Sequence, residues 1–122
     1  MILVYLSPYL VSFFEAFLLT FSIECLTFLP FARGIGAPRA LGAVLLVNAF
    51  SLPVVWFVIS FMIRDFLVYA FSSELFVIIS ESILLRMLLP ISYKRSILAA
   101  LTMNLASFMV GWVLPILIEP WS

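Results

Sequence analysis

Four glutamates, Glu15, Glu24, Glu74 and Glu81, sit inside strongly apolar stretches of this chain. Two asparagines, Asn48 and Asn104, do the same, and each has a serine three residues on, Ser51 and Ser107. An acid placed in hydrocarbon is expensive, so it is expected in a bundle interior, paired, protonated or beside a water-filled path. Such a group can take up and release a proton or a small cation, and amides and hydroxyls can orient it. The sequence therefore predicts a ligand- or proton-binding polar layer of Glu24, Glu81, Asn48, Asn104, Ser51 and Ser107. Glu15 and Glu74 are its secondary members.

Other chemistries lack their residues. The chain has no histidine and a single cysteine, Cys25. His-based catalysis, an internal disulfide and multi-cysteine metal sites are thereby excluded. No glycine-rich phosphate loop, HExxH or CxxC motif is present. Four glutamates suggest a di-metal carboxylate bundle, but that site needs Glu-x-x-His pairs. No nucleophile–base pair and no basic surface is seen, so no enzyme activity, cofactor, metal or nucleic-acid partner is expected. Cys25 is read as a small core residue, and the thirteen phenylalanines as packing and lipid-facing groups.

The elements that must carry the layer are membrane spans. The chain is 66% hydrophobic and 10% charged, against about a quarter charged in ordinary soluble domains. A 122-residue soluble domain cannot hide that much apolar surface. A single transmembrane domain over 1–122 is expected, all-α, with four spans and the lipid bilayer as its first partner. The spans are predicted from Ser7-Pro8 to Pro30, Pro38-Arg39 to Ile63, Ser72 to Leu89, and Lys94-Arg95 to Ile118. Each approaches the roughly 20 residues that cross hydrocarbon. Met1 to Leu6 lacks a basic n-region, so the first span is expected to be retained rather than cleaved as a signal peptide.

Charge sets an expected orientation. Arg33 and Arg39 flank the first connection, and Arg86, Lys94 and Arg95 the third, whereas the second has only Arg64 beside Asp65. The positive-inside rule then places loops 31–38 and 90–95 in the cytoplasm, with both termini outside a plasma membrane. Length, four spans and a first-span acid are shared with the small multidrug resistance transporters. The glycine- and aromatic-bearing later helices of that family are absent, and the Lys/Arg bias opposes a dual-topology dimer.

The chain also resembles itself. Shifted by 56 residues, RALGAVLLVNAFSLPVVW (39–56) overlies RSILAALTMNLASFMVGW (95–112) without a gap. Seven positions are identical, among them Arg39/Arg95, Asn48/Asn104, Ser51/Ser107 and Trp56/Trp112. Chance matches between apolar helices supply leucine and valine, not Arg, Asn, Ser and Trp in one frame. The expected layout is two same-direction two-helix repeats, about 7–63 and about 72–118, related by a pseudo-twofold axis along the membrane normal. Arginine snorkels at one interface and tryptophan sits at the other, which leaves asparagine near mid-depth. Ala100, Asn104, Ser107 and Gly111 form a small and polar stripe that admits a close neighbour. Pro53 and Pro115 free the carbonyls of Ala49 and Gly111.

Glu24 continues a stripe with Thr20 and Thr27, and Glu15 aligns with Ser12 and Ser22. In a dry centre the two inner acids are expected to be neutral, and therefore good partners for the amides. A midplane layer of this kind serves either a transporter or proton/ion pathway, or the packing of a non-catalytic subunit in a larger membrane complex. Self-association or other membrane subunits are the expected partners.

Overall fold

The computed structural model describes residues 2–118, and over them the chain is helical with no strand. Four long helices follow one another. Helix α1 is Ile2–Phe28, continued by a tight 3₁₀ turn at Leu29–Phe31. Helix α2 is Ala37–Val54, extended through a wide π-helical turn, Val55–Ile59, to Ser60–Met62. Helix α3 is Phe66–Leu88 and α4 is Tyr93–Ile118. Three spans, Pro8–Phe31, Ala37–Met62 and Phe66–Leu88, are long and apolar enough to cross a membrane by length and composition.

Local chemistry sets the ends. Gly34, with φ 77°, supplies the left-handed residue of the α1–α2 turn, which costs a glycine least. Gly36 precedes α2 and Pro38 stands in its first turn, where the missing N–H costs nothing. Asp65 caps α3 by accepting from the Val68 N–H at 3.0 Å. The Ser92 hydroxyl accepts from the Arg95 N–H at 3.2 Å and opens α4.

Two boundaries depart from the sequence reading. Helix α1 begins at Ile2 rather than at Pro8, so Pro8 lies inside it. Helix α3 begins at Phe66 rather than at Ser72, because Asp65 acts as a cap and not merely as a charged stop. Glu74 is consequently more than two turns inside α3, and favourable placement at a helix N-terminus does not account for it.

The helices close into a ring in which α1 touches α2, α2 touches α3, α3 touches α4, and α4 touches α1. The ring is tightest towards the two basic connections. There Phe28, Ala40, Ala43, Val44, Val47, Leu85, Leu89, Ile91, Ala99 and Met103 form one buried apolar cluster. Alanine at three of these positions, Ala40, Ala43 and Ala99, brings the backbones close. Guanidinium groups tie the same end. Arg95 donates to the Arg33 carbonyl at 2.9 Å and Arg39 to the Leu88 carbonyl at 3.4 Å. Arg86 stacks on the Tyr93 ring, 4.8 Å from its centroid, and does not reach towards Glu81.

At the opposite end α1 and α2 are joined by aromatic rings. Tyr9 meets Trp56 at 5.3 Å and Phe57 at 5.6 Å, and Phe13 meets Phe57 at 5.1 Å.

Candidate functional site

The ring order brings the six central residues into one hydrogen-bonded cluster. On α1, Glu24 is fully buried; on α3, so is Glu81. Asn48 Nδ2 donates to Glu24 Oε2 at 2.6 Å, and Asn104 Nδ2 donates to Glu81 Oε2 at 2.8 Å. Each amide spends its second hydrogen on its own helix, four residues back, on Val44 O at 2.9 Å and Ala100 O at 2.8 Å. That back-bond holds the side chain against the helix and aims the first hydrogen at the acid.

The serines cross to the other pair. Ser51 Oγ donates to Glu81 Oε1 at 3.0 Å, and Ser107 Oγ lies 3.4 Å from Glu24 Oε1. Ser107 also lies 3.2 Å from the Asn104 carbonyl, so its one proton serves either acceptor. Each carboxyl therefore takes an amide from one neighbouring helix and a hydroxyl from the other. All four helices are clamped at one level. The equivalent bonds, Asn48 with Val44 and Asn104 with Ala100, or Ser51 and Ser107, recur at a spacing of 56 residues.

At 1.5 Å per residue, Glu24 and Glu81 lie about 10 Å from the basic-loop ends of their helices. The two asparagines lie about 16 Å from theirs. The clamp thus sits above the apolar cluster, with the asparagines close to the middle of their helices and the glutamates nearer the basic-loop ends.

The secondary members part company. Glu74 is half-buried and lines a cavity beside the clamp. Glu15 does not join the cluster. It is exposed on α1, as are Ser12 and Ser22, and the Ser22 hydroxyl bonds the Leu18 carbonyl of its own helix. The expectation that every acid in a span turns inward fails for Glu15, because nine residues separate it from Glu24 and carry it to the far side of the helix. The small stripe on α4 also ends early: Ala100 and Asn104 are buried, while Gly111 is exposed with nothing within 4 Å of an added Cβ. Trp112, the expected counterpart of Trp56, and Pro115, expected to free the Gly111 carbonyl, fall among residues whose side chains are not described.

Sequence reasoning missed the partners of the proline. Pro53 loosens α2 past itself, at Val55–Ile59, where the N–H of Ser60 reaches back five residues to Val55 O. This widened turn exposes carbonyls to side chains. Tyr9 Oη donates to Trp56 O at 2.5 Å, the Ser60 hydroxyl also bonds Trp56 O, and Tyr69 Oη lies 3.5 Å from Val55 O. Two tyrosines, from α1 and α3, thus flank the turn. The signal available in sequence was a tyrosine near the non-basic end of each odd span, opposite a proline-bearing helix.

The family model of filament integrity protein FraC matches residues 65–122. That stretch starts on the capping Asp65 and contains α3 and α4, with Glu74, Glu81, Asn104 and Ser107. No curated protein and no solved structure matches the chain.

Proposed function

We propose that this chain is a non-catalytic membrane subunit of an assembly that maintains filament integrity, with the carboxyl–amide clamp as the internal fastening of its bundle. The match of residues 65–122 to the filament integrity family carries this reading. Two further observations support it. The clamp satisfies its acids on α1 and α3 from within, using donors on α2 and α4, and the connections between helices are only a few residues long.

In this reading all four helices cross the plasma membrane, with loops 31–38 and 90–95 in the cytoplasm and both termini outside. The asymmetry of Arg33, Arg39, Arg86, Lys94 and Arg95 against Arg64 and Asp65 supports that orientation. The two hairpins are tandem repeats about an axis along the membrane normal, supported by the recurrence of the clamp bonds. The subunit meets further copies or other membrane subunits through its exposed apolar faces.

The test is deletion of the gene in its host, scored by filament length, with complementation by wild type and by Asn48→Leu. Fragmentation rescued by wild type is expected, together with stoichiometric membrane partners in mild-detergent pull-downs. Unchanged filaments after deletion would sink the reading.

A proton or ion pathway is the second reading, favoured by the cavity that Glu24, Glu74 and Glu81 line. It requires the apolar cluster at the basic end to open. Reconstituted Glu81→Gln protein tests it: flux retained at the wild-type level removes Glu81 from any such pathway.

A further inference from the structure

The clamp has one open side. Away from the basic loops it borders a cavity of about 120 Å³ whose polar lining includes Thr20, Ser51, Ser73, Glu74 and the clamp itself. At the liquid-water share of about 30 Å³ per molecule, that volume suits about four waters or one small ion. The other side is closed by Val44, Val47, Ala99 and Met103, each fully buried. The cavity is therefore a dead-ended vestibule.

Its lining is unbalanced in hydrogen-bond terms. Both amide nitrogens direct their hydrogens to a carboxyl oxygen and a helical carbonyl, and Ser51 donates to Glu81. What is left over is the Asn48 carbonyl oxygen, which can only accept, and the Ser73 hydroxyl, which can accept or donate. Asn48 lines the vestibule with 0% exposure, and its Oδ1 has no partner. An orphaned buried acceptor is uncommon enough to require an explanation. Glu74 adds a third carboxyl group at the same cavity. A ligand that brings hydrogens satisfies Asn48 Oδ1, and a cation there pairs with a carboxyl that has released its proton. Among the described residues, no three acidic or sulfur groups are grouped to hold a metal ion. A nitrogen cation with several N–H bonds fits the lining, whereas an anion does not.

The route in is also visible. Glu74 and Phe108 line the vestibule and, from their other side, an apolar groove of about 380 Å³ between α3 and α4. Leu67, Ala70, Phe71, Ile78 and Leu105 complete that groove. These two side chains are the wall between a lipid-facing surface and a polar pocket.

We propose that the vestibule is a binding site for a primary ammonium group, which donates to Asn48 Oδ1 in a pocket lined by the carboxyls of Glu24, Glu74 and Glu81. The group arrives either on a small soluble amine or on an amphiphile whose chain lies in the groove. The site is independent of the filament role, so the failure of one leaves the other standing.

The test uses full-length protein in phosphatidylcholine nanodiscs, with side-chain amide signals of Asn48 and Asn104 followed by nitrogen NMR. Methylammonium is expected to shift both signals saturably. Tetramethylammonium, equally charged but without N–H, is expected to leave them unmoved. Glu74→Gln, on a half-buried side chain outside the clamp, is expected to weaken methylammonium at least tenfold. Dodecylammonium distinguishes the sources: binding tighter than methylammonium places the chain in the groove, and equal binding assigns the vestibule alone. Absence of a saturable methylammonium shift in wild type, or an equal response to tetramethylammonium, overturns the proposal. So does unchanged affinity in a folded Glu74→Gln protein; if that variant misfolds, the two wild-type titrations decide.

Discussion

Removing both members of the Asn48–Glu24 pair should cost less than the two single removals added together, and the shortfall measures the clamp. The variants are Asn48→Leu and Glu24→Met, which keep side-chain size while deleting hydrogen-bonding capacity. Asn48→Leu strips Glu24 Oε2 of its 2.6 Å donor and leaves a buried acid short by one bond, a loss of about 1–3 kcal/mol. Glu24→Met leaves one amide hydrogen of Asn48 without its acceptor, while the other keeps Val44 O at 2.9 Å. The double variant has neither orphan. Interhelical bonds in membrane proteins average about 0.6 kcal/mol and reach about 1.7 kcal/mol, because the unfolded chain in the bilayer also finds partners. A short bond between two fully buried side chains belongs at the top of that range. The expected coupling is therefore about 1.5 kcal/mol, read from reversible unfolding in mixed micelles by a double-mutant cycle. Additivity of unrelated sites holds to about 0.3–0.5 kcal/mol. A coupling inside that margin would refute the clamp as an energetic unit and leave it a coincidence of packing.

Three further outcomes follow from other parts of the bundle. Asp65→Ala should cost about 1 kcal/mol in the same unfolding assay, by removing the cap on Val68 N–H. Tyr9→Phe should cost about 0.5–1.5 kcal/mol through its bond to Trp56 O, and amide exchange should quicken locally over 55–59, with α4 unaffected. Glu15→Leu should leave unfolding unchanged within about 0.5 kcal/mol, as an exposed position does. If α1 presents that acid to another copy, the same variant lowers self-association measured by energy transfer between labelled subunits in bilayers.

The polar layer was legible because its residue types are so ill-suited to hydrocarbon that only a few arrangements tolerate them. That Glu24, Asn48, Glu81 and Asn104 share a layer follows from depth and type; which asparagine serves which acid does not. Which serine serves which acid does not follow, since Ser51 with Glu81 and Ser107 with Glu24 depend on the order of helices around the ring. Pattern across two helices cannot supply that order. Glu15 was misjudged for a related reason: cost in lipid argues that an acid finds a partner, but not that the partner lies in the same chain. The start of α3 was hidden by Asp65, a residue that reads equally as a membrane-edge charge and as a cap. The π turn was invisible at residue level because a proline announces that a helix must adjust, not where the adjustment falls.

The two halves of the bundle bear on the choice between fastening and transport. Each clamp bond is worth about 0.6–1.7 kcal/mol, so breaking all four between carboxyls and their donors is a modest demand. The seal beneath is different. Val44, Val47, Leu85, Ala99 and Met103 have no exposed surface. A buried side chain of leucine size makes some 40–60 atom contacts of about 0.1–0.2 kcal/mol each. Parting them for a water path loses contacts on several residues at once, and wetting an apolar constriction offers no polar group in return. Protonating or deprotonating the clamp acts on the smaller of the two terms. A continuous pathway therefore needs a second event at the basic end, where Arg95 and Arg39 pin the turns to neighbouring helices. A pocket open to one side and closed to the other is what a fastening with a ligand site requires, and it is half of what a carrier requires.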